Sequence, residues 1–255
     1  MDLTADTKNL YAQIIRDYET LEPGESDTWN PLHGDFELFY RLRLMYSAKR
    51  ALSAAGIDPA GIRVLDLGCG NGRSTRMYLD FGLLPEQLRG VDLRPGAVSA
   101  AKRRNPGIDY IVYDGIRIPP PPVSAAYDWV QLSTVVSSIK NARDRKYLVE
   151  RIDEVLRPGG YLFYFDLVVA NPFAGHDWIN PKRNLFDRYS VVWGQRFYSW
   201  SLLPLRDRLQ TFSAVARDAQ SALGMVIFFP RLFRVLASVL ARPIHEAFLL
   251  KKPET

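Results

Sequence analysis

Val64-Leu-Asp-Leu-Gly-Cys-Gly-Asn-Gly72 is the stretch that decides the fold. A short apolar run ends in three glycines spaced two apart, and a helical stretch, Gly72–Asp80, follows. Glycine accepts positive backbone angles and has no side chain, so Gly68 and Gly70 allow a ligand to lie against the main chain. The helix behind the loop offers free amide groups at its start. In a dinucleotide fingerprint, Gly-x-Gly-x-x-Gly, the third small residue would fall at position 73, which here is Arg73. Asp66, two residues before Gly68, would face a pyrophosphate unfavourably. It suits a cofactor that carries positive charge.

Outward from this loop, short apolar runs alternate with helical stretches. Strands are expected at Arg63–Leu67, Leu88–Leu93, Asp109–Tyr113, Tyr127–Leu132 and Tyr161–Val169. Helices are expected at Gly72–Asp80, Pro95–Arg104 and Asp144–Leu156, the last stopped by Arg157-Pro-Gly-Gly160. That order implies a parallel sheet with right-handed crossovers and helices on both faces. Ligands of such sheets bind at the carboxyl ends of the strands. Asp92 ends the second strand, 20 residues after Gly72, where a carboxylate accepts hydrogen bonds from ribose hydroxyls. Asp114 ends the third, placed to accept from an exocyclic adenine amine. Either aspartate alone would read as a cap on the turn after it. In this order and spacing behind the glycine loop, the ligand role is the expectation.

Composition narrows the remaining classes. The chain has 255 residues, 47% apolar and 24% charged, which excludes a disordered tail, a collagen-like chain and a small disulfide scaffold. Cys69 is the single cysteine, so neither an internal disulfide nor a multi-cysteine zinc site can form, and three histidines argue against a histidine-rich metal centre. The net charge of +5 is uneven. Residues 1–35 hold eight acids and two bases, and the other 220 residues carry a surplus of eleven positive charges. A basic body signals an anionic partner. The first residues lack the basic-then-apolar order of a secretory signal. Ala219–Pro230, twelve residues without charge, is shorter than the ~20 a membrane-spanning helix needs. The expected location is the cytoplasm, including the inner membrane face.

At the amino end, residues 20–35 are rich in turn formers and read as loop. Leu38, Leu42, Met45 and Leu52 then fall on one face of a helix between Phe36 and Ala55.

Five segments together resemble the class I S-adenosylmethionine-dependent methyltransferases: Val64–Gly72, Gly90-Val-Asp-Leu93, Tyr113-Asp-Gly-Ile116, Tyr127-Asp-Trp-Val130 and Leu156–Gly160. The resemblance covers about residues 60–170 in family order. It implies a Rossmann-like doubly wound α/β sheet of seven strands, mostly parallel with an antiparallel last strand. It divides the chain into a lid and capping helix over residues 1–58 and a core over 59–255, with an insert at about 200–243. Strands six and seven are expected at Ser190–Tyr198 and Ile244–Lys251. The implied cofactor is S-adenosyl-L-methionine. Carried over by position, Asp66, Gly68 and Gly70 would cradle its methionine part and Asp92 its ribose, with Leu93 beside it. Asp114 and Gly115 would flank the adenine, Ser133 would line the cofactor, and Arg43 of the lid helix would meet its carboxylate. Cys69 is expected to pack within the loop.

For the acceptor, in-line methyl transfer gains much of its rate from holding nucleophile and methyl together in a dry site. A hydroxyl acceptor also needs a base. The candidates are His176, beside Asp177 in the loop after the fifth strand, Asp166 within that strand, and His33 in the lid. His245, in the last strand, reads as structural. Metal assistance is not expected, because the segment after the fourth strand, Gln131-Leu-Ser-Thr134, lacks the acid that metal-dependent relatives place there. Asn171-Pro-Phe173 has one proline and follows the wrong strand for a base-methylating motif, so nucleic acid is not the expected partner.

The expected substrate is a saccharide, glycolipid or polysaccharide precursor, methylated at a sugar hydroxyl. The order Thr134–Ile139, Phe165–Pro172 and then a long tail also resembles uncharacterised bacterial methyltransferases found with surface-polysaccharide enzymes. A specialised metabolite methylated at oxygen, nitrogen or carbon is the alternative. A non-catalytic cofactor-binding partner protein is the alternative of another class. A nicotinamide oxidoreductase is disfavoured by Arg73 and Asp66. The stripe Leu232, Leu236, Val239 and Leu240 beside Arg231 and Arg234 reads as a packed helix, or as peripheral membrane contact through 219–242. A homodimer is compatible with the sequence.

Overall fold

All four residues of Val64–Leu67 are buried, and this run forms strand β1 in the middle of the sheet. The computed structural model describes residues 9, 12–13, 15–16, 35–113, 126–139, 142–167, 185–199 and 242–254. Within them, helix α1 (Asp35–Ala55) precedes β1, and α2 (Arg73–Arg76), β2 (Leu88–Asp92), α3 (Pro95–Arg104) and β3 (Asp109–Val112) follow. Then come β4 (Tyr127–Ser133), α4 (Ala142–Val155), β5 (Leu156–Leu167), β6 (Ser190–Ser199) and β7 (Arg242–Lys251). The sheet formed by the described residues has seven strands in the order β3-β2-β1-β4-β5-β7-β6. Strands β1 to β5 pair in parallel, and β7 runs antiparallel between β5 and β6. This is the Rossmann-like sheet with an antiparallel last strand that the sequence led us to expect.

Two apolar cores flank it. One joins α1 and α3 to Val64, Trp129, Phe163 and Phe165. The other joins α4, through Leu148, Val149, Ile152 and Val155, to Leu65, Val130, Leu162 and Tyr164. The alternation of strand residues between the two sets is the period-two signature of a sheet covered on both sides. Neighbouring strands β1 and β4 lead into helices on opposite faces, so a crevice opens between their carboxyl ends.

Three local expectations change. The stretch Gly72–Asp80 is not one helix: α2 stops at Arg76, and a 3₁₀ turn at Leu79–Phe81 follows. Met77 and Tyr78 are drawn into the core between the two pieces. Arg157–Gly160 does end the preceding helix, but β5 begins at once: Leu156 already pairs with Tyr127, across an irregularity before Trp129. The face of α1 is also different. Leu38 and Leu42 are exposed, at 38% and 42%, while Leu44, Ser47, Ala48, Ala51 and Leu52 are buried. Small side chains on that face let the helix lie close to the sheet, and close packing outweighs the apolar character of Leu38 and Leu42. No helix among the described residues is long and apolar enough to cross a membrane.

Candidate functional site

The glycine loop leaves β1 in a conformation that few other residues tolerate. Gly68, Gly70 and Gly72 all have positive φ, at 82°, 54° and 81°. At Gly68 an added Cβ would also stand 2.5 Å from Val135 Cγ2, the side chain that follows β4 across the crevice. The loop is tied down by the Gly68 and Cys69 N–H groups, which donate to the Val91 carbonyl at 2.8 and 3.0 Å. Cys69 is buried, burial pushes its thiol well above its ordinary value, and it packs against Gly90.

Asp66 and Asp92 hold this loop from opposite ends. Asp92, the last residue of β2, accepts the Gly70 N–H on Oδ2 at 2.8 Å. Its Oδ1 accepts the Arg94 N–H at 3.0 Å and pairs with the Arg94 Nε at 3.1 Å. Arg94 lies 3.4 Å from where a Cβ on Gly70 would stand, so its guanidinium borders the bare stretch of main chain. Leu93, next to Asp92, is half-buried against the second core.

Asp66 is fully buried, and three donors surround its carboxylate. Ser74 and Thr75 hydroxyls donate to Oδ2 at 2.6 and 2.7 Å, and the Gln131 amide donates to Oδ1 at 2.9 Å. On balance its pKa is raised above the ordinary carboxylate value: burial raises it most, these three hydrogen bonds lower it in part, and the charge on Asp92 raises it. Asp66 is therefore set beneath the loop as its anchor, not on an open wall. Its charge reaches a ligand as a field and not as a contact.

Across the crevice, helix α1 closes onto β4 and β5. The Tyr40 hydroxyl shares a hydrogen bond with Ser133 Oγ at 2.9 Å and reaches Thr134 Oγ1 at 3.4 Å. Thr134 has a φ of 55°, a conformation costing a non-glycine residue roughly 1–2 kcal/mol. Its N–H donates to the Phe165 carbonyl at 2.8 Å, which holds the strained turn in place. Burial pushes the Tyr40 phenol up to about 12, so it stays protonated at neutral pH. One turn further along α1, burial lowers the Arg43 guanidinium to about 10, which leaves it charged. His245 stacks on Phe165, with ring centroids 5.2 Å apart, and meets Tyr40 edge-on at 5.5 Å. Burial, then the charge of Arg43, push its pKa down to about 3, so the imidazole is neutral. It is a core residue, as its strand suggested.

Asp166 is placed differently from the expectation of a base on the substrate side. It is fully buried in β5, opposite Glu246 of β7, and accepts the Ser137 N–H on Oδ2 at 3.0 Å. That bond braces the 3₁₀ turn Val136–Ser138 that follows β4. His33, Asp114, Gly115, His176 and Asp177 lie outside the described residues, as do residues 200–241 of the insert. The structure thus brings together Asp66, Gly68, Gly70, Asp92, Leu93 and, across the crevice, Ser133 and Arg43. It adds Ser74, Thr75, Gln131, Arg94 and Tyr40. The signals for these were faint: a Ser-Thr pair just after the glycines, and one polar residue inside an apolar strand.

Bare glycine main chain, an accepting carboxylate at the end of β2 and a sealed carboxylate below fit a cofactor with a ribose and positive charge. Fold and site together define a Rossmann-like domain with a cofactor-sized crevice at the carboxyl ends of β1 and β4. Residues 64–160 match the family described as a methyltransferase domain.

The chain is 34% identical over 182 residues to phthiotriol/phenolphthiotriol dimycocerosates methyltransferase 1 of Mycobacterium ulcerans, covering 68% of this chain and 64% of that one. It is 32% identical over 138 residues to the demethylmenaquinone methyltransferase of Renibacterium salmoninarum, covering 54% and 52%. It thus spans between half and two thirds of the length of these curated relatives. Among solved structures, the N-methyltransferase NodS of Bradyrhizobium japonicum, in complex with S-adenosyl-L-homocysteine, shares the fold. Its TM-score is 0.61 at 16% identity, with 96% of this chain and all of that one covered.

Proposed function

We propose that this protein transfers the methyl group of S-adenosylmethionine to a hydroxyl of a lipid-linked small molecule, a glycolipid precursor being the form that joins the sequence reading to the relatives. The observation that carries the methyltransferase reading is the glycine loop held between the buried Asp66 and the rim residue Asp92. The lipid part is supported by the likeness to proteins named for phthiotriol dimycocerosates and demethylmenaquinone.

When bound, the cofactor supplies an electrophilic methyl on a positively charged sulfur. In this reading Asp92 accepts the ribose hydroxyls once Arg94 turns aside, and the Gly68–Gly70 main chain bears the methionine part. Arg43 faces its carboxylate, Leu93 and Ser133 line it, and Asp114 and Gly115 flank the adenine. Helix α1 excludes water above β4 and β5. The base for a hydroxyl acceptor is His176, or His33 of the lid, since Asp166 is fully buried and braces the Ser137 N–H.

The test is transfer of labelled methyl from S-adenosylmethionine into fractions of a bacterial extract. Label in the lipid fraction that survives acid hydrolysis as a methylated sugar supports the reading. Label in a quinone supports the second reading, a specialised metabolite as acceptor, which the likeness to proteins named demethylmenaquinone methyltransferase favours. Cofactor binding with no transfer to any fraction would leave a non-catalytic binding protein.

A further inference from the structure

Between the sheet core and the glycine loop runs a chain of hydrogen bonds that the cofactor reading does not use. The Trp129 indole N–H donates to the Tyr78 hydroxyl oxygen at 2.8 Å. The Tyr78 hydroxyl donates to Gln131 Oε1 at 2.7 Å. The Gln131 amide N–H₂ then donates to Asp66 Oδ1 at 2.9 Å. All four side chains are fully buried.

The direction of this chain is set at its far end. An indole can only donate, so Tyr78 must accept from it and pass its own proton onward. The only partner for that proton on Gln131 is the carbonyl oxygen, which turns the amide nitrogen to Asp66. Oδ1 must therefore accept. A protonated Asp66 with its hydrogen on Oδ1 would set donor against donor. With its hydrogen on Oδ2 it would have to reverse Ser74 or Thr75, both of which donate there. Hydrogen bonds to the charged form hold a carboxylate ionised against the penalty of burial.

We propose that Trp129, Tyr78 and Gln131 are positioning residues that keep Asp66 an anion beneath the loop, and that this charge shifts the balance of binding toward the cationic sulfonium cofactor and away from its neutral thioether product. The proposal rests on the S-adenosylmethionine reading above. Transfer of the methyl leaves the bonding electron pair on sulfur and removes its positive charge, so the product loses the attraction that held the cofactor.

Other groups near Asp66 do not obscure a test at pH 6 to 9. Tyr40, Tyr78, Tyr110 and Cys69 each feel Asp66 and are raised by burial, so they stay neutral.

The experiment is calorimetric binding of S-adenosylmethionine and S-adenosylhomocysteine at pH 6, 7.5 and 9. It compares the wild type with Tyr78→Phe and Gln131→Leu, each checked for a native melting transition. Relative to wild type, the cofactor-to-product affinity ratio of the variants should fall roughly tenfold at pH 6 and recover toward pH 9. That is the order expected for one charge several ångströms away at an effective dielectric near 20. A purely structural role would weaken both ligands equally, and a ratio unchanged at every pH overturns the proposal. If the variants fail to fold, the aspartate carboxyl ¹³C shifts of the wild type decide. Asp66 ionised throughout pH 6 to 9 supports the proposal, and a titration inside that range refutes it. Wild type that binds neither ligand overturns the functional reading, and this inference falls with it. Wild type that binds both, with an unchanged ratio in the variants, overturns this inference alone.

Discussion

Asp92→Asn is the sharpest single test of the site, because the substitution preserves shape and changes only what the side chain can accept. The carboxylate takes one N–H from Gly70 on Oδ2 and two from Arg94 on Oδ1. Asparagine has one oxygen and one NH₂ group, so in either orientation it turns a donor toward a donor. At least one hydrogen bond to a buried charged group is lost, an effect of roughly 1.5–3 kcal/mol. Asp92 is only 7% exposed, so water does little to replace it. Unfolding in urea should therefore show a loss of about 2 kcal/mol with an unchanged slope. The same carboxylate is the proposed acceptor for the ribose hydroxyls, so calorimetry should show S-adenosylmethionine bound roughly 10- to 100-fold more weakly, at about 1.4 kcal/mol per tenfold. A variant of wild-type stability that still binds S-adenosylmethionine within twofold would refute both the loop-anchoring and the ribose argument.

Three other outcomes follow from the geometry. Asp166→Asn should lower stability by about 1–3 kcal/mol by weakening the brace on Ser137, yet leave the pH dependence of turnover in place; a flattened pH–rate profile would restore Asp166 as the base. The neutral, buried His245, lowered to about 3, sits below its unfolded value of about 6.5. The unfolded chain thus binds the extra proton between those values. Stability from this group is full above about pH 6.5 and falls by up to about 1.4 kcal/mol per pH unit toward pH 3. His245→Phe should make the acid limb of a denaturation-versus-pH curve shallower, and an equally steep limb would count against the assignment. On α1, Ala48→Leu should cost about 1–3 kcal/mol by overpacking, whereas Leu42→Ser should change stability by less than about 0.5 kcal/mol. The reverse order in thermal melts would contradict the packing of that helix.

The order of strands, the glycine loop and the placing of Asp92 were legible because each depends on short stretches whose local chemistry is nearly self-sufficient. The helix face was not. Leu38 and Leu42 looked like core residues because apolar periodicity carries no record of how near the sheet a helix must come. Asp166 looked like a base because it lies within β5, just before the loop on the substrate side. Only the Ser137 amide, 29 residues earlier in the chain, shows that the carboxylate is already engaged.

By itself, then, the sequence determined the class of fold and the cofactor it serves, through a glycine loop whose backbone angles few other residues adopt. Tertiary structure alone decided how Asp66 is held. Its relay joins Trp129 to Tyr78, Tyr78 to Gln131 and Gln131 to Asp66 across separations of 51, 53 and 65 residues. A donor and an acceptor so far apart in the chain leave no pattern in it. They meet because parallel strands β1 and β4 lie side by side, and burial then obliges every polar group between them to find a partner.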